Sequence, residues 1–166
     1  GYKQMTLETG SEFVCDVNTS RVGDGLRGIQ VRANDTFDQR GTDTTQINVD
    51  NTPPEINEVT ANDSIVSSGE PIAVEVSLLQ DTVSTISHVE VDGFVNLSYN
   101  ETSQLWEGVT KAGIDANNAV DVIAVDKAGN KDTDGSTTYE IDDNPPFVQV
   151  GAPLNNSAQN GEFFLN

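Results

Sequence analysis

Two stretches of this chain match one another along most of their length. GSEFVCDVNTSRVGDGLRGIQVRANDTF (10–37) with TTQINVDNTPPEI (44–56) corresponds to ETSQLWEGVTKAGIDANNAVDVIAVDKAGN (101–130) with STTYEIDDNPPFV (136–148). Cys15 falls on Trp106, Ile29 on Val120, Ala33 on Ala124 and Asp35 on Asp126, an offset of 91, whereas Pro53 and Pro54 fall on Pro145 and Pro146, an offset of 92. A unit of this size suits one β-sandwich domain and is too long for a helical solenoid repeat. The phase of the repeat divides the chain in three. Residues 1–51 correspond to the C-terminal part of a unit, 52–143 to a complete unit, and 144–166 to a linker with the opening strand of a further one. A sandwich without its first strands leaves sheet edges and an apolar face open. The expectation is therefore a segment of a longer array, or a chain whose missing strands come from another chain as in donor-strand complementation.

Inside the complete unit, apolar and polar residues alternate between turn signals, which predicts strands at 55–61, 71–79, 85–91, 94–99, 105–110, 119–125 and 137–142. In the sixth, Val120, Val122 and Ala124 are expected on one face and Asp121, Ile123 and Val125 on the other. Asn62-Asp63, Ser68-Gly69, Asp92-Gly93, Gly129-Asn130 and Asp134-Gly135 mark turns. No segment carries sustained helical periodicity. Seven short strands at this spacing predict an all-β chain of tandem Ig-like β-sandwich domains, and the double prolines, which fix φ and remove backbone donors, predict short stiff Pro-Pro linkers between them.

Composition narrows the function. The 166 residues carry 27 Asp plus Glu against 8 Lys plus Arg, a formal net charge of −19. That balance excludes non-specific nucleic-acid binding, which needs clustered cations, and disfavours an anionic lipid surface. One Cys makes neither an internal disulfide nor a thiolate metal cage, and one His leaves little for His-based catalysis. No run of 18 apolar residues is present, so no direct membrane insertion is expected in this segment. Self-repulsion at this charge weakens a compact state at low ionic strength and is screened at high salt. Acidic, Lys-poor surfaces resemble those of proteins from salt-loving organisms; an ordinary acidic extracellular protein is the alternative.

AVDKAGN (124–130) followed by STTYEIDDNPP (136–146) resembles the end of tandem bacterial and archaeal Ig-like domains in large surface proteins, whose repeats carry an Ala-x-Asp-x-Ala-Gly-Asn turn and close on an Asp-rich segment before proline. The first repeat keeps Ala33-Asn34-Asp35 and VDNTPP (49–54) without the Ala-Gly-Asn. With the acidity and the sequons below, the chain looks most like an archaeal, haloarchaeal-type S-layer glycoprotein. The resemblance implies an extracellular cell-envelope location and partners that are copies of the chain or neighbouring surface-protein domains.

Asn-x-Ser/Thr sequons, acceptors for N-linked glycans, stand at Asn18, Asn34, Asn62, Asn96, Asn100 and Asn155. Asn130, Asp132 and Asp134 before Gly135 approximate the first half of a calcium loop, but Ile141 stands where the bidentate acid belongs, so only a looser oxygen cage in a hairpin is expected. EIDDNPPF (140–147) is similar to the calcium-binding linkers of cadherins. That likeness makes Asp142, Asp143 and Asn144 candidate calcium ligands at the later junction and Asp50 with Asn51 at the earlier one. Simple charged, turn-forming linkers are the alternative. Gly23-Asp24-Gly25-Leu26-Arg27-Gly28 matches G-x-G-x-x-G in letters, but the alternating residues after it predict a strand where dinucleotide binding needs a helix; the motif reads as a loop between strands. His88 reads as a strand residue, and Cys15, matched to Trp106, as a buried core position. No catalytic residue emerges. The leading expectation is a non-enzymatic structural cell-surface protein, an S-layer-type array of Ig-like domains. The alternatives are the stalk of an adhesin, a strand-exchanged extracellular filament, or accessory domains of a large secreted enzyme.

Overall fold

The structure, a computed structural model, describes residues 3–79, 84–113 and 118–149. Among these residues there is no helix. The strands are β1 (Thr6–Thr9), β2 (Glu12–Val14), β3 (Gly25–Asn34), β4 (Arg40–Val49), β5 (Glu55–Ala61), β6 (Ile65–Val66), β7 (Pro71–Leu79), β8 (Ile86–Val91), β9 (Val95–Asn96), β10 (Ser98–Asn100), β11 (Leu105–Lys111), β12 (Val122–Asp126), β13 (Lys131–Asp134) and β14 (Glu140–Ile141).

Two four-stranded sheets, in the orders β10-β11-β7-β5 and β13-β12-β8-β9, are built from the complete repeat unit. Strict alternation along β7 buries Ile72, Val74 and Val76 and exposes the residues between them, and β8 and β12 contribute Val89, Val91, Val122 and Ala124 to the same core. Both sheets thus bury one face against a common apolar cluster, the arrangement of a β-sandwich. Each fully buried Val or Ile contributes about 1.5–3 kcal/mol relative to exposure, so this cluster dominates the stability of the molecule. A short parallel pair, β6 with β14, closes one side, and Tyr139 is buried beside it with its hydroxyl accepting the Gly113 N–H at 2.9 Å.

The expected strands at 55–61, 71–79 and 105–110 coincide with β5, β7 and, to within one residue, β11, and His88 lies in β8 opposite Val125. Two differences are instructive. The run 94–99 is not one strand: β9 joins the sheet of β8, β10 joins that of β11, and the chain crosses between sheets at Leu97. Leu97 is buried and sits over Gly108, where a Cβ would come within 2.5 Å of the leucine side chain. The crossover therefore depends on the missing side chain at Gly108. The second difference is that β6 and β13 were not expected; the polar Lys-Asp-Thr-Asp of β13 becomes a strand through its pairing with β12. The sixth strand starts later, at Val122, with Ala119 making an isolated bridge to Thr138. Val120, Val122 and Ala124 are buried as expected, but so is Val125.

The first repeat forms two separate hairpins, β1-β2 and β3-β4. β3 and β4 pair without a break from Gly25↔Val49 to Asn34↔Arg40. Gly25 and Gly28 lie inside β3, which corrects the reading of that glycine-rich run as loop: only Gly23 and Asp24 precede the strand. Cys15 is also corrected, being half-exposed just after β2 instead of buried. None of the described residues before Glu55 belongs to the core cluster.

Candidate functional site: the junction between repeats

The turn after β3 and the turn after β12 occupy matching places in the repeat and are built alike. In each, an aspartate at the strand end folds its carboxylate back over the turn. Asp35 Oδ1 accepts the N–H groups of Phe37 and Gln39 at 2.8 and 2.9 Å, and Asp126 Oδ1 accepts those of Gly129 and Asn130 at 2.7 and 2.9 Å. Both turns need one residue in the left-handed region; Asp38 takes it at φ 61° where Gly129 takes it at 94°. Asp can adopt this conformation through local hydrogen bonding, which is why the first repeat makes the turn without the Ala-Gly-Asn letters.

Asp126 is only 2 % exposed. Burial alone raises a carboxyl, but the Asn130 side chain, the Asn130 and Gly129 N–H groups and Ser84 all donate to it, and together they hold it below the ordinary carboxylate value. The Asn130 amide does more than cap this carboxylate. Its Nδ2 is 2.9 Å from Asp126 Oδ2, 3.2 Å from the Asp50 carbonyl and 3.3 Å from the Thr52 carbonyl. A buried acid in the second repeat is thereby tied to the segment that enters it. Two residues further along the same hairpin, Asp132 Oδ2 accepts the Ile56 N–H at 2.8 Å, fixing the start of β5.

The same segment is held from its other side by the first repeat. Asp24, in the loop that Arg27 braces by donating to the Gly23 and Asp24 carbonyls, accepts the Asn51 N–H at 2.8 Å and the Thr52 hydroxyl. Those bonds, the Thr52 hydroxyl first, and the nearby Arg27 charge lower its pKa. The Asn51 amide donates to the Val22 carbonyl at 2.9 Å and to the Thr19 carbonyl at 3.2 Å. Within the segment, Asp50 Oδ1 accepts the Thr52 N–H at 3.1 Å, and Pro54 is buried. Residues 50–54 are thus pinned by side chains from both repeats, which a flexible polar linker is not.

At the later junction the local turn recurs: Asp142 Oδ1 accepts the Asn144 N–H at 2.9 Å, as Asp50 does for Thr52. Asp143 Oδ1 instead accepts the Ser68 N–H at 2.8 Å, and Pro145 and Pro146 are exposed.

The candidate calcium ligands do not converge. Asn130, Asp132 and Asp134 follow one another along an extended hairpin strand, where alternate residues are about 7 Å apart. Their polar atoms are engaged by the chain: Asn130 donates, Asp132 accepts from Ile56 and Thr133, and Asp134 accepts from Ser136. At the first junction Asp50 Oδ2 is buried without a partner, yet the side-chain nitrogen of Asn130 and the Thr52 N–H, both donors, stand around that residue. Among the described residues no group of three or more His, Cys, Asp or Glu is disposed to hold a metal.

Of the sequons, Asn18, Asn34, Asn62 and Asn96 are exposed, and Asn155 lies outside the described residues. Asn18 and Asn62 use Oδ1, accepting from Ser20 and Ala73. Asn100 is different: its Nδ2, the atom that would carry a sugar, donates to both Glu107 carboxylate oxygens at 3.1 and 3.0 Å.

Sequence reasoning missed the roles of Asp24 and Asn130. Asp24 sat inside a motif dismissed as a nucleotide signature, and Asn130 was read as an oxygen ligand when its nitrogen is the working atom. The available signal was the matched pair Asp35 and Asp126 at strand ends, which announces a capped turn. No helix of the described residues is long and apolar enough to cross a membrane. Comparison with protein-family models, with curated proteins and with solved structures finds no match.

Proposed function

We propose that this chain is a structural, non-catalytic part of an extracellular surface protein of the S-layer glycoprotein type, an array of Ig-like units held in line by hydrogen-bonded junctions. The observation that carries this reading is the double anchoring of residues 50–56, by the bonds of Asp24 and Asn51 to the first repeat on one side and by Asn130 and Asp132 on the other. A load-bearing or lattice-forming array needs successive units that do not swivel, and this junction restrains them through the chain's own hydrogen bonds. Four exposed sequons and a net charge of −19 support an outside location, where glycans and salt surround the surface.

Nitrogen-15 relaxation on the intact chain tests the mechanical part. The native protein is expected to tumble with one correlation time across β3-β4 and the sandwich, and the double variant Asp24→Ala, Asn130→Ala with two. Independent tumbling of the native chain would refute it. Intact mass of the protein from its native source, before and after deglycosylation, tests the location: sugar-sized losses support a surface glycoprotein, and a mass near 17.8 kDa without sugar removes that reading. An adhesin stalk predicts binding by a distal module, and an enzyme accessory role predicts a catalytic domain in the same chain.

A further inference from the structure

β9 lies at the edge of its sheet within the complete unit, and the residues around it alternate between inside and outside. Val95 packs against the core and Leu97 is buried in it, while Phe94, Asn96 and Ser98 are all exposed on the outward side. Phe94 closes the turn before the strand, its N–H bonding the Val91 carbonyl at 3.1 Å, and it is 81 % exposed. Asn96 is the acceptor of the sequon Asn96-Leu97-Ser98. Among the described residues no hydrogen bond holds its side chain, whereas Asn100 Nδ2 is committed to Glu107. At the sequons of Asn18, Asn34, Asn62, Asn100 and Asn155 the residue two places earlier is Asp16, Arg32, Thr60, Ser98 and Pro153. Only Asn96 has an aromatic ring there.

We propose, building on the surface-glycoprotein reading above, that Asn96 is a glycan attachment site whose first sugar packs the C–H-bearing face of its ring on Phe94. Alternate side chains on one strand face are about 7 Å apart, a gap that an asparagine amide and one pyranose ring span. The face of an aromatic ring carries partial negative charge and the sugar C–H groups partial positive charge, so the two attract as a ring face and a ring edge do, and both surfaces leave water. Attachment itself is the work of a separate transferase using a sugar carried on a lipid phosphate. Asn96 Nδ2 bonds the anomeric carbon, the bond from that carbon to the phosphate oxygen breaks, the phosphate leaves with the electron pair, and one Nδ2 proton passes to a base. The attached sugar then bridges residues 94 and 96 and stiffens the β8-β9 hairpin, whose pairing is short, Glu90 with Asn96 and Val91 with Val95.

Peptide mapping reads occupancy sequon by sequon, in the protein from its native source and in the full chain made in a glycosylating host. Sugar at Asn96 is expected in both. Sugar at Asn18, Asn34 or Asn62 with Asn96 bare would overturn this proposal and leave the glycoprotein reading standing, while sugar at no sequon would overturn both. The chain from the host is then trimmed by endoglycosidase to single N-acetylglucosamine units, with Asn96→Gln as the form lacking the sugar at this site. That sugar is expected to raise the Trp106 unfolding midpoint by about 4 °C in the native chain and by less than about 1 °C in the Phe94→Ala background, with Phe94→Trp restoring the gain. Proton spectra of the same samples should show the sugar ring protons shifted upfield by the aromatic ring, a shift that Phe94→Ala removes. An equal gain in both backgrounds, or sugar protons that Phe94→Ala leaves unmoved, would overturn the proposal. Phe94 and Asn96 are exposed, so these substitutions leave the core intact.

Discussion

Replacing Asn130 by alanine isolates the junction's energetics. The substitution removes one amide with three acceptors: Asp126 Oδ2, which is buried, and the carbonyls of Asp50 and Thr52. The bond to the ionised Asp126 belongs to the charge-assisted class, worth about 1.5–3 kcal/mol net, while the shared, longer bonds to the two carbonyls add about 0.5 kcal/mol each at most. Asp126 Oδ1 keeps the Gly129 and Asn130 N–H groups, so its carboxylate is not wholly abandoned and the lower half of the range applies. A loss of about 2 kcal/mol is expected, which for a cooperative unit near 100 residues lowers Tm by roughly 8–16 °C. Trp106, the single tryptophan, lies against the sandwich core and reports this transition by fluorescence. Hydrogen exchange at residues 50–52 should quicken in the folded state of the same variant. Asp24→Ala provides the contrast, since its bonds are to Asn51 and Thr52: it should quicken the same amides while leaving the Trp106 transition unchanged, as expected for a contact outside the core. If Asn130→Ala costs less than about 0.5 kcal/mol, below the smallest value expected of a hydrogen bond to a charge, the reasoning fails.

Gly108→Ala brings a methyl to within 2.5 Å of Leu97 Cδ2 at the sheet crossover, and overpacking of this kind costs about 1–3 kcal/mol; Gly108→Ala combined with Leu97→Val should recover part of the loss in chemical denaturation. Asp126 has a depressed folded pKa, so its contribution is fully present above the ordinary value of 3.8 and disappears as pH falls through the folded value; the Tm difference between the native chain and Asp126→Asn should hold constant above about pH 5 and shrink below about pH 4. A difference that grows in acid would contradict the assignment. Although Asp50 Oδ2 has no partner, Asp24, Asp132 and Asp134 accept from the chain's own donors, so millimolar calcium and EDTA should leave Tm within about 1 °C in moderate salt, and a rise of several degrees would show that the carboxylates rearrange around the ion. In a glycosylating host, peptide mapping should find sugar at Asn18, Asn34, Asn62 or Asn96 and leave Asn100 bare, because its Nδ2 is committed to Glu107; occupancy at Asn100 would require that pair to open.

Much of the fold was legible along the chain because its signals are local. Alternation in β5, β7 and β11 depends on residues two apart, and the turns at Gly69, Gly93 and Gly129 are announced by residue types that tolerate positive φ. The repeat was legible for the same reason: it is a comparison of letters. The candidate site was less so. Asp50, Asn51 and Asn130 were marked as noteworthy, but as ligands for an ion, since residue type alone does not reveal whether an asparagine presents its oxygen or its nitrogen.

Tertiary structure decided what depends on residues far apart. The run 94–99 carries one continuous pattern, yet its two halves join different sheets because Leu97 finds room over Gly108, eleven residues away. Lys131–Asp134 has no apolar alternation and is a strand because β12 supplies its partner. Val31 and Val122 sit in matching sequence and differ in exposure, 40 % against 1 %, because β8 covers one and no described strand covers the other. Sequence alone therefore determined which residues prefer to be extended and which way their side chains alternate, since pleating is intrinsic to the backbone. Whether an apolar face becomes core or remains an open edge was decided only by which strand lies beside it, because burial belongs to a pair of surfaces and not to either one.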